Sequence, residues 1–113
     1  MSVSNSTFNE VAMKIILHAG DCRNLVNEAL KDLEEGAPIE QIDSKMKEAK
    51  NEIIKAHKIQ TDIIQSTIED ESVSATLLFT HAQDTLMTIY SEMNIAQHLI
   101  ALYKKLEDKI NDK

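Results

Sequence analysis

Residues 8–38 read FNEVAMKIILHAGDCRNLVNEALKDLEEGAP, and this stretch decides the fold. Its apolar residues recur at every third or fourth position, which predicts one apolar stripe along a single long helix. Gly36 is predicted to end that helix because glycine accepts the left-handed conformation, and Pro38 suits the first turn of a second helix. So short a connection predicts two antiparallel helices. The stripe consists of Phe8, Val11, Ala12, Ile15, Ile16, Ala19, Cys22, Val26, Ala29, Leu30 and Leu33.

Two more amphipathic segments follow the first one. The apolar periodicity predicts helices over about 7–35, 38–66 and 75–111. The chain contains two Gly and one Pro in 113 residues, which leaves little material for tight β-turns. We therefore predict a single all-α domain over 1–113, folded as an antiparallel three-helix bundle.

Polar residues mark the predicted helix boundaries. Thr7 and Glu10 can form a capping box at the start of the first helix. The polar and acidic stretch 67–74 interrupts the periodicity and is predicted to be a mobile loop. Ser72 or Ser74 is predicted to cap the third helix.

Charge and cysteine content exclude several classes of function. The formal net charge of -7 and the lack of a basic patch argue against nucleic-acid binding. The single cysteine, Cys22, cannot form an intrachain disulfide. No signal peptide is recognisable, and no apolar run approaches the roughly 20 residues that span a bilayer. We therefore expect a soluble protein of the reducing cytoplasm.

The third predicted helix carries two rows of apolar residues, whereas a helix in an isolated three-helix bundle needs one. The second row predicts contact with something outside the bundle, most simply other copies of the chain. The alternative is one wide stripe that faces the core. The first row is Phe79, Ala82, Leu86, Ile89, Met93, Ala96, Ile100, Tyr103 and Ile110, and the second is Leu77, Ile95, Leu99, Leu102 and Leu106.

A histidine and a carboxylate lie three residues apart within this third segment, at His81 and Asp84. On a helix, side chains at this spacing are neighbours. An imidazole with the ordinary pKa of about 6.5 is largely unprotonated at neutral pH, so it can attack phosphorus and later release the phosphoryl group. The spacing alone is equally typical of an ordinary solvated helix surface.

Short motifs in all three predicted helices match one known family. They are AGDCR at 19–23, EAL at 28–30, AHKIQT at 56–61, HAQD at 81–84 followed by LM at 86–87, HLI at 98–100 and LYK at 102–104. On these motifs the chain resembles the enzyme IIA component of the lactose/cellobiose (chitobiose) family of the bacterial phosphoenolpyruvate-dependent sugar phosphotransferase system.

The resemblance implies a homotrimer whose third helices gather near the threefold axis. It implies that His81 is the nucleophile, which accepts the phosphoryl group on its tele nitrogen from the phosphocarrier protein HPr. The group then passes to a cysteine of the IIB component, so that a disaccharide entering through the membrane IIC component is phosphorylated. Asp84 from each of three subunits would bind Mg²⁺, or a similar divalent ion, on the trimer axis. Cellobiose, chitobiose and lactose remain open as the sugar.

Two neighbours of these residues have predicted roles of their own. The Gln83 amide is a candidate donor to phosphoryl oxygens, either within its own chain or across a subunit boundary. Many family members have a histidine directly after the aspartate, where this chain has Thr85. Thr85 could still donate a hydrogen bond to the phosphoryl group.

Two rival functions come from other classes. A non-catalytic helical adaptor would explain the periodicity but not the motif around His81. A metal-dependent hydrolase would need further ligands and a general base near Asp84, and the sequence offers no such spacing there. We expect structural roles for the remaining histidines: His18 off the apolar stripe, His57 in packing, and His98 in an oligomer contact.

Overall fold

The chain is described by a computed structural model that covers residues 4–68 and 74–112. Three helices account for nearly all of this part: α1 (Asn5–Glu34), α2 (Ile39–Thr67) and α3 (Leu77–Asn111). The described residues contain no strand, so the all-α prediction is confirmed. The helices form an elongated bundle about 65 Å long. None of them combines the length and the apolar character that crossing a membrane requires.

The helix starts correct two sequence predictions. Ser4, and not Thr7, caps α1, because its hydroxyl accepts a hydrogen bond from the Thr7 backbone N–H at 3.1 Å. At the start of α3, Thr76 accepts from the Phe79 N–H at 3.2 Å, so the predicted cap at Ser72 or Ser74 is wrong. The predicted loop falls largely on 69–73, which lies outside the described residues.

Gly36 ends the first helix as the sequence predicts. Its φ is +78°, in the left-handed region. The Gly36 N–H donates to the Leu33 carbonyl at 3.2 Å, and the Ala37 N–H donates to the Asp32 carbonyl at 2.9 Å. These two bonds form a Schellman motif, which satisfies carbonyls at the end of α1 and turns the chain into α2.

Replacing Gly36 by alanine is expected to lower the free energy of unfolding by about 1 kcal/mol. A Cβ at this position would meet no atom within 4 Å, so the cost comes from the backbone conformation alone. The control is Gly20→Ala, a helical position with equal space, where alanine should raise the free energy of unfolding by about 0.5–1 kcal/mol. Urea unfolding at fixed protein concentration measures both. Two changes of the same sign would contradict the assignment.

The core is a continuous apolar seam between the three helices. Every buried side chain in the described part of the chain is apolar or is the Cys22 thiol. Cys22 is fully buried, and its sulfur lies 3.9 Å from that of Met93, which agrees with its place in the predicted apolar stripe of the first helix. The largest fully buried side chains are Ile15, Ile42, Ile53, Leu86 and Ile89.

The Cys22 thiol is expected to react slowly in the folded protein. Burial raises its pKa to about 11, and the negative charges of Glu52 and Glu92 add to the effect. Relative to an ordinary thiol, the nucleophilic thiolate is thus about 100-fold scarcer. A disulfide reagent that absorbs on reaction should modify the native protein at least about 100-fold more slowly than the urea-unfolded protein. Equal rates would contradict the burial.

Ion pairs on the surface link each pair of helices. The shortest joins α1 to α2, where Lys45 Nζ lies 2.6 Å from the Asp32 carboxylate. The hydrogen bond from Lys45, with a second from Gln41, lowers the pKa of Asp32. The two α1–α2 pairs Asp32–Lys45 and His18–Glu52 follow opposite orders along the two helices, so α1 runs antiparallel to α2. The links are Lys45–Asp32 (α2 to α1), Arg23–Glu92 (α1 to α3) and Lys104–Asp43 (α3 to α2).

The second apolar row of α3 is exposed, so the alternative of one wide core-facing stripe is wrong. Leu77 is 86% exposed, and Ile95, Leu99, Leu102 and Leu106 are between 49% and 60% exposed.

The first row also ends earlier than predicted. Tyr103 and Ile110 are exposed, and Ile100 is the last buried member. The reason is the position of the α1–α2 connection: Tyr103 lies beside Gly36 and Pro38, so the last turns of α3 extend past the other two helices.

Candidate functional site

His81 lies in the second turn of α3, and its side chain is exposed. The backbone beneath it is firmly held, because Phe79, Ala82 and Leu86 are buried in the core on the opposite side of the helix. The Phe79 ring packs edge-to-face on Phe8 of α1, with ring centroids 5.2 Å apart. The result is an accessible imidazole on a rigid support, which suits a reaction with another protein.

Thr85 forms a local hydrogen bond. Its hydroxyl donates to the backbone carbonyl of His81 at 2.9 Å. A hydroxyl has a single hydrogen to donate, and here that hydrogen is engaged one helical turn from the imidazole. Donation from Thr85 to a phosphoryl group stays a prediction, and it requires the hydroxyl to rotate away from the His81 carbonyl.

Asp84 points away from the bundle. It is exposed, and Leu102 follows it by 18 residues, which is five full turns of an α-helix. Leu77 and Ile95, at spacings of 7 and 11 residues, lie within about 20° of the same direction. Asp84 therefore belongs to the exposed apolar row, as a single carboxylate among leucine and isoleucine side chains. We call this outward surface of α3 the leucine face; its residues are Leu77, Asp84, Ile95, Leu99, Leu102 and Leu106.

His81 and Gln83 lie on opposite flanks of α3. A separation of two residues turns the helix by about 200°. Glu92, 11 residues beyond His81, bonds to Arg23, so the His81 flank is the one beside α1. Gln83 is partly buried on the flank toward α2, in the same row as Tyr90. The Gln83 amide of one chain therefore cannot serve the imidazole of that chain, and only a neighbouring subunit could bring the two together.

A single chain does not build a metal site at Asp84. Within residues 4–68 and 74–112, one group of three potential ligand side chains comes together, formed by His18, Asp21 and Glu52. Asp84 is not part of this group. This arrangement gives no support to a hydrolase centred on Asp84.

The remaining histidines have distinct surroundings. His57 is half-buried and packs edge-to-face on Tyr90, with ring centroids 5.1 Å apart, which agrees with its predicted packing role. Both rings line a groove of about 910 Å³ between α2 and α3 that does not include His81. His98 is exposed, and its oligomer contact stays a prediction. His18 Nδ1 lies 2.9 Å from a Glu52 carboxylate oxygen, a partner 34 residues away that no local spacing reveals.

Comparison with known proteins agrees with the motifs. Residues 10–104 match the family model described as "PTS system, Lactose/Cellobiose specific IIA subunit". The lichenan-specific phosphotransferase enzyme IIA component of Bacillus subtilis is 34% identical over 93% of this chain and 94% of its own length. The N,N'-diacetylchitobiose-specific EIIA component of Escherichia coli K12 is 31% identical over 87% of this chain and 84% of its own. The crystal structure of the cellobiose-specific enzyme IIA from Bacillus anthracis superposes with a TM-score of 0.81 at 34% identity, covering 96% of each chain.

Proposed function

The chain belongs to the lactose/cellobiose-specific IIA family of the sugar phosphotransferase system, and on this premise we propose that His81 is its phosphoryl-carrying residue. Membership makes the chain a phosphotransferase component of a sugar transport system. The observation that carries the assignment to His81 is its exposed imidazole on a helix whose opposite side is packed in the core. Among the three other histidines, His18 is hydrogen-bonded to Glu52 and His57 packs on Tyr90. His98 lies far along α3 from His81.

The proposed reaction is two successive transfers of one phosphoryl group. The lone pair of His81 Nε2 attacks phosphorus on the phosphohistidine of HPr, the N–P bond of HPr breaks, and the HPr imidazole leaves. A thiolate of IIB then attacks the same phosphorus, and the His81 imidazole leaves in its original form. Imidazole suits both steps because it is a nucleophile and a good leaving group. Each partner supplies the in-line geometry at its own interface.

The leucine face supports a proposed homotrimer around α3. Five exposed apolar side chains in one row form a surface that several identical helices can share around an axis. Such an arrangement would bring three Asp84 carboxylates together, and their mutual repulsion requires a counter-charge. Mg²⁺ fits this donor set, since it prefers carboxylate and water oxygens. Bound there, the ion would neutralise the carboxylates.

Gln83 is proposed to bind the phosphoryl group of a neighbouring subunit, so Gln83→Ala should slow transfer from HPr by about 10-fold, the loss of one hydrogen bond to a charged group. The matched control is Gln97→Ala, another α3 glutamine on the groove beside α2. Stopped-flow or quenched-flow transfer rates measure both. A Gln83→Ala protein that transfers at the wild-type rate would count against this role.

The partners and setting follow from the proposed role. HPr and IIB would bind directly, the membrane component IIC would be reached only through IIB, and the protein would work in the cytoplasm. Relatives that bear lichenan, lactose and chitobiose names are similar to this chain at 31–35% identity, so overall likeness does not select the sugar. We propose that the transported sugar is a disaccharide of the cellobiose, chitobiose or lactose class, and that the membrane component IIC determines which one is bound.

A phosphoryl chase distinguishes this function from a non-catalytic adaptor. The protein is first phosphorylated with phosphoenolpyruvate, Enzyme I and HPr, then purified and mixed with a cognate IIB. We expect the phosphoryl group to leave the protein and appear on a cysteine of IIB, while a sample without IIB keeps it far longer. A protein that accepts no phosphoryl group, or loses it at the same rate without IIB, would favour the adaptor.

A further inference from the structure

A cluster of metal-binding side chains lies on the α1–α2 side of the bundle, remote from the leucine face. The ligand atoms of His18, Asp21 and Glu52 all lie within 4.8 Å of one another. His18 and Asp21 are three residues apart on α1, so they share a flank, and Glu52 approaches from α2. From this geometry we propose that the three side chains form a transition-metal site, with Zn²⁺ as its ordinary occupant, that joins α1 to α2.

The distances suit an ion without movement of either helix. Zn²⁺ binds imidazole nitrogen and carboxylate oxygen at about 2.0–2.2 Å, so two ligands of one tetrahedral ion lie about 3.4 Å apart. His18 Nδ1 and Glu52 Oε2 are already 2.9 Å apart, and the remaining separations need only side-chain adjustment. The ion would bind the Nδ1 lone pair of the neutral imidazole tautomer that carries its hydrogen on Nε2, and it would replace the hydrogen bond between Nδ1 and the carboxylate. Water would complete the coordination.

Charge and burial also favour a cation here. The His18 and Glu52 side chains are only 26% and 21% exposed, so they are held in place before an ion arrives. Two carboxylates with a neutral imidazole carry two negative charges, which a divalent ion neutralises. Lys55 provides the present counter-charge, with its Nζ 3.6 Å from Glu52. Its side chain is 57% exposed and can turn into solvent when the ion enters.

The donor set separates this site from the one proposed at Asp84. One nitrogen with two oxygens selects Zn²⁺ or Co²⁺ over Mg²⁺, which prefers oxygen alone. All three ligands come from one chain, so the cluster holds one ion per chain, whereas an axial site on a trimer holds one ion per three chains. The cluster stands on α1 and α2 alone, so it does not depend on the role of His81.

Calorimetric titration with Zn²⁺ tests the site. A second titration with Co²⁺, monitored by visible absorption, probes ligation by the imidazole nitrogen. In an Asp84→Asn background we expect one Zn²⁺ per chain, unaffected by excess Mg²⁺. His18→Gln and Glu52→Gln should each weaken binding by at least about 10-fold. Lys55→Gln should tighten it, because the competing ammonium is gone. The matched control is the double variant His57→Gln, Glu48→Gln, which removes an imidazole and a carboxylate from α2 outside the cluster.

The variants separate loss of ligands from loss of fold. Asp21 is exposed and Asp21→Asn keeps its size, so this variant should fold normally and still lose Zn²⁺ affinity. Zn²⁺ should also raise the melting temperature of the wild type, and it should raise that of Glu52→Gln by less at the same Zn²⁺ concentration. Retention of wild-type affinity by His18→Gln and Glu52→Gln would overturn the proposal. So would a wild-type protein that binds no more Zn²⁺ than the triple variant His18→Gln, Asp21→Asn, Glu52→Gln.

Discussion

Replacing His81 by alanine is expected to abolish phosphoenolpyruvate-dependent sugar phosphorylation, by more than about 1,000-fold in a reconstituted system. The reason is that the proposed pathway passes every phosphoryl group through this imidazole, and a methyl group offers no nucleophile. His81 is exposed, so the substitution removes no core contact and the helix should persist. The assay supplies Enzyme I, HPr, IIB and membranes containing IIC, and follows formation of the sugar phosphate.

The controls for this prediction are His57→Ala and His98→Ala. They remove an imidazole from a packed position on α2 and from an exposed position on α3. Both variants should retain phosphorylation within a few-fold of wild type. Substantial activity in His81→Ala, together with loss of activity in either control variant, would show that another histidine carries the phosphoryl group.

Replacing Asp84 by leucine is expected to remove the axial metal while the trimer persists or tightens. In the proposed assembly three carboxylates need a cation, and three leucine side chains would instead extend the apolar row of Leu102 and Ile95. Analytical ultracentrifugation over a dilution series gives the assembly state, and elemental analysis after dialysis gives the metal content. We expect Mg²⁺ at one ion per three wild-type chains and none in Asp84→Leu.

The matched variant is Leu102→Glu, five turns along the same row of α3. It places a charge on the leucine face and adds no metal ligand near Asp84. Three buried glutamates without partners would be costly, so this variant should dissociate at concentrations where the wild type is trimeric. A monomeric wild type at micromolar concentration would contradict the assembly, and a monomeric Asp84→Leu protein would contradict the proposed role of the ion.

The fold was largely predictable because apolar residues recur with the same helical spacing in all three segments. The 3.6-residue spacing places the helices within two residues of their observed ends, and Gly36 marks the turn between the first two. The caps were less predictable, since Ser4 and Thr7 are both suitable residues and only the backbone geometry selects Ser4. Tyr103 and Ile110 continue the apolar period but lie beyond the α1–α2 connection, and the length of a neighbouring helix is not encoded in the period.

The site was predictable in its residues more than in its arrangement. The motif at 81–84 could be recognised from the sequence, yet the structure places Gln83 on the flank of α3 opposite His81, while Asp84 stays about 60° around the helix from His81. The Thr85 hydrogen bond depends on a rotamer, which no sequence pattern specifies. The contact between His18 and Glu52 joins residues 34 positions apart, so it emerges only when α1 and α2 pack together.

The most direct test of the phosphocarrier role is a single-turnover reaction with purified phospho-HPr, analysed by mass spectrometry of the intact protein and of its peptides. We predict one acid-labile increase of about 80 Da per chain, confined to the peptide that contains His81. The increase should be absent from His81→Ala. A wild-type protein that gains no mass, or an adduct that persists in His81→Ala, would contradict the central claim.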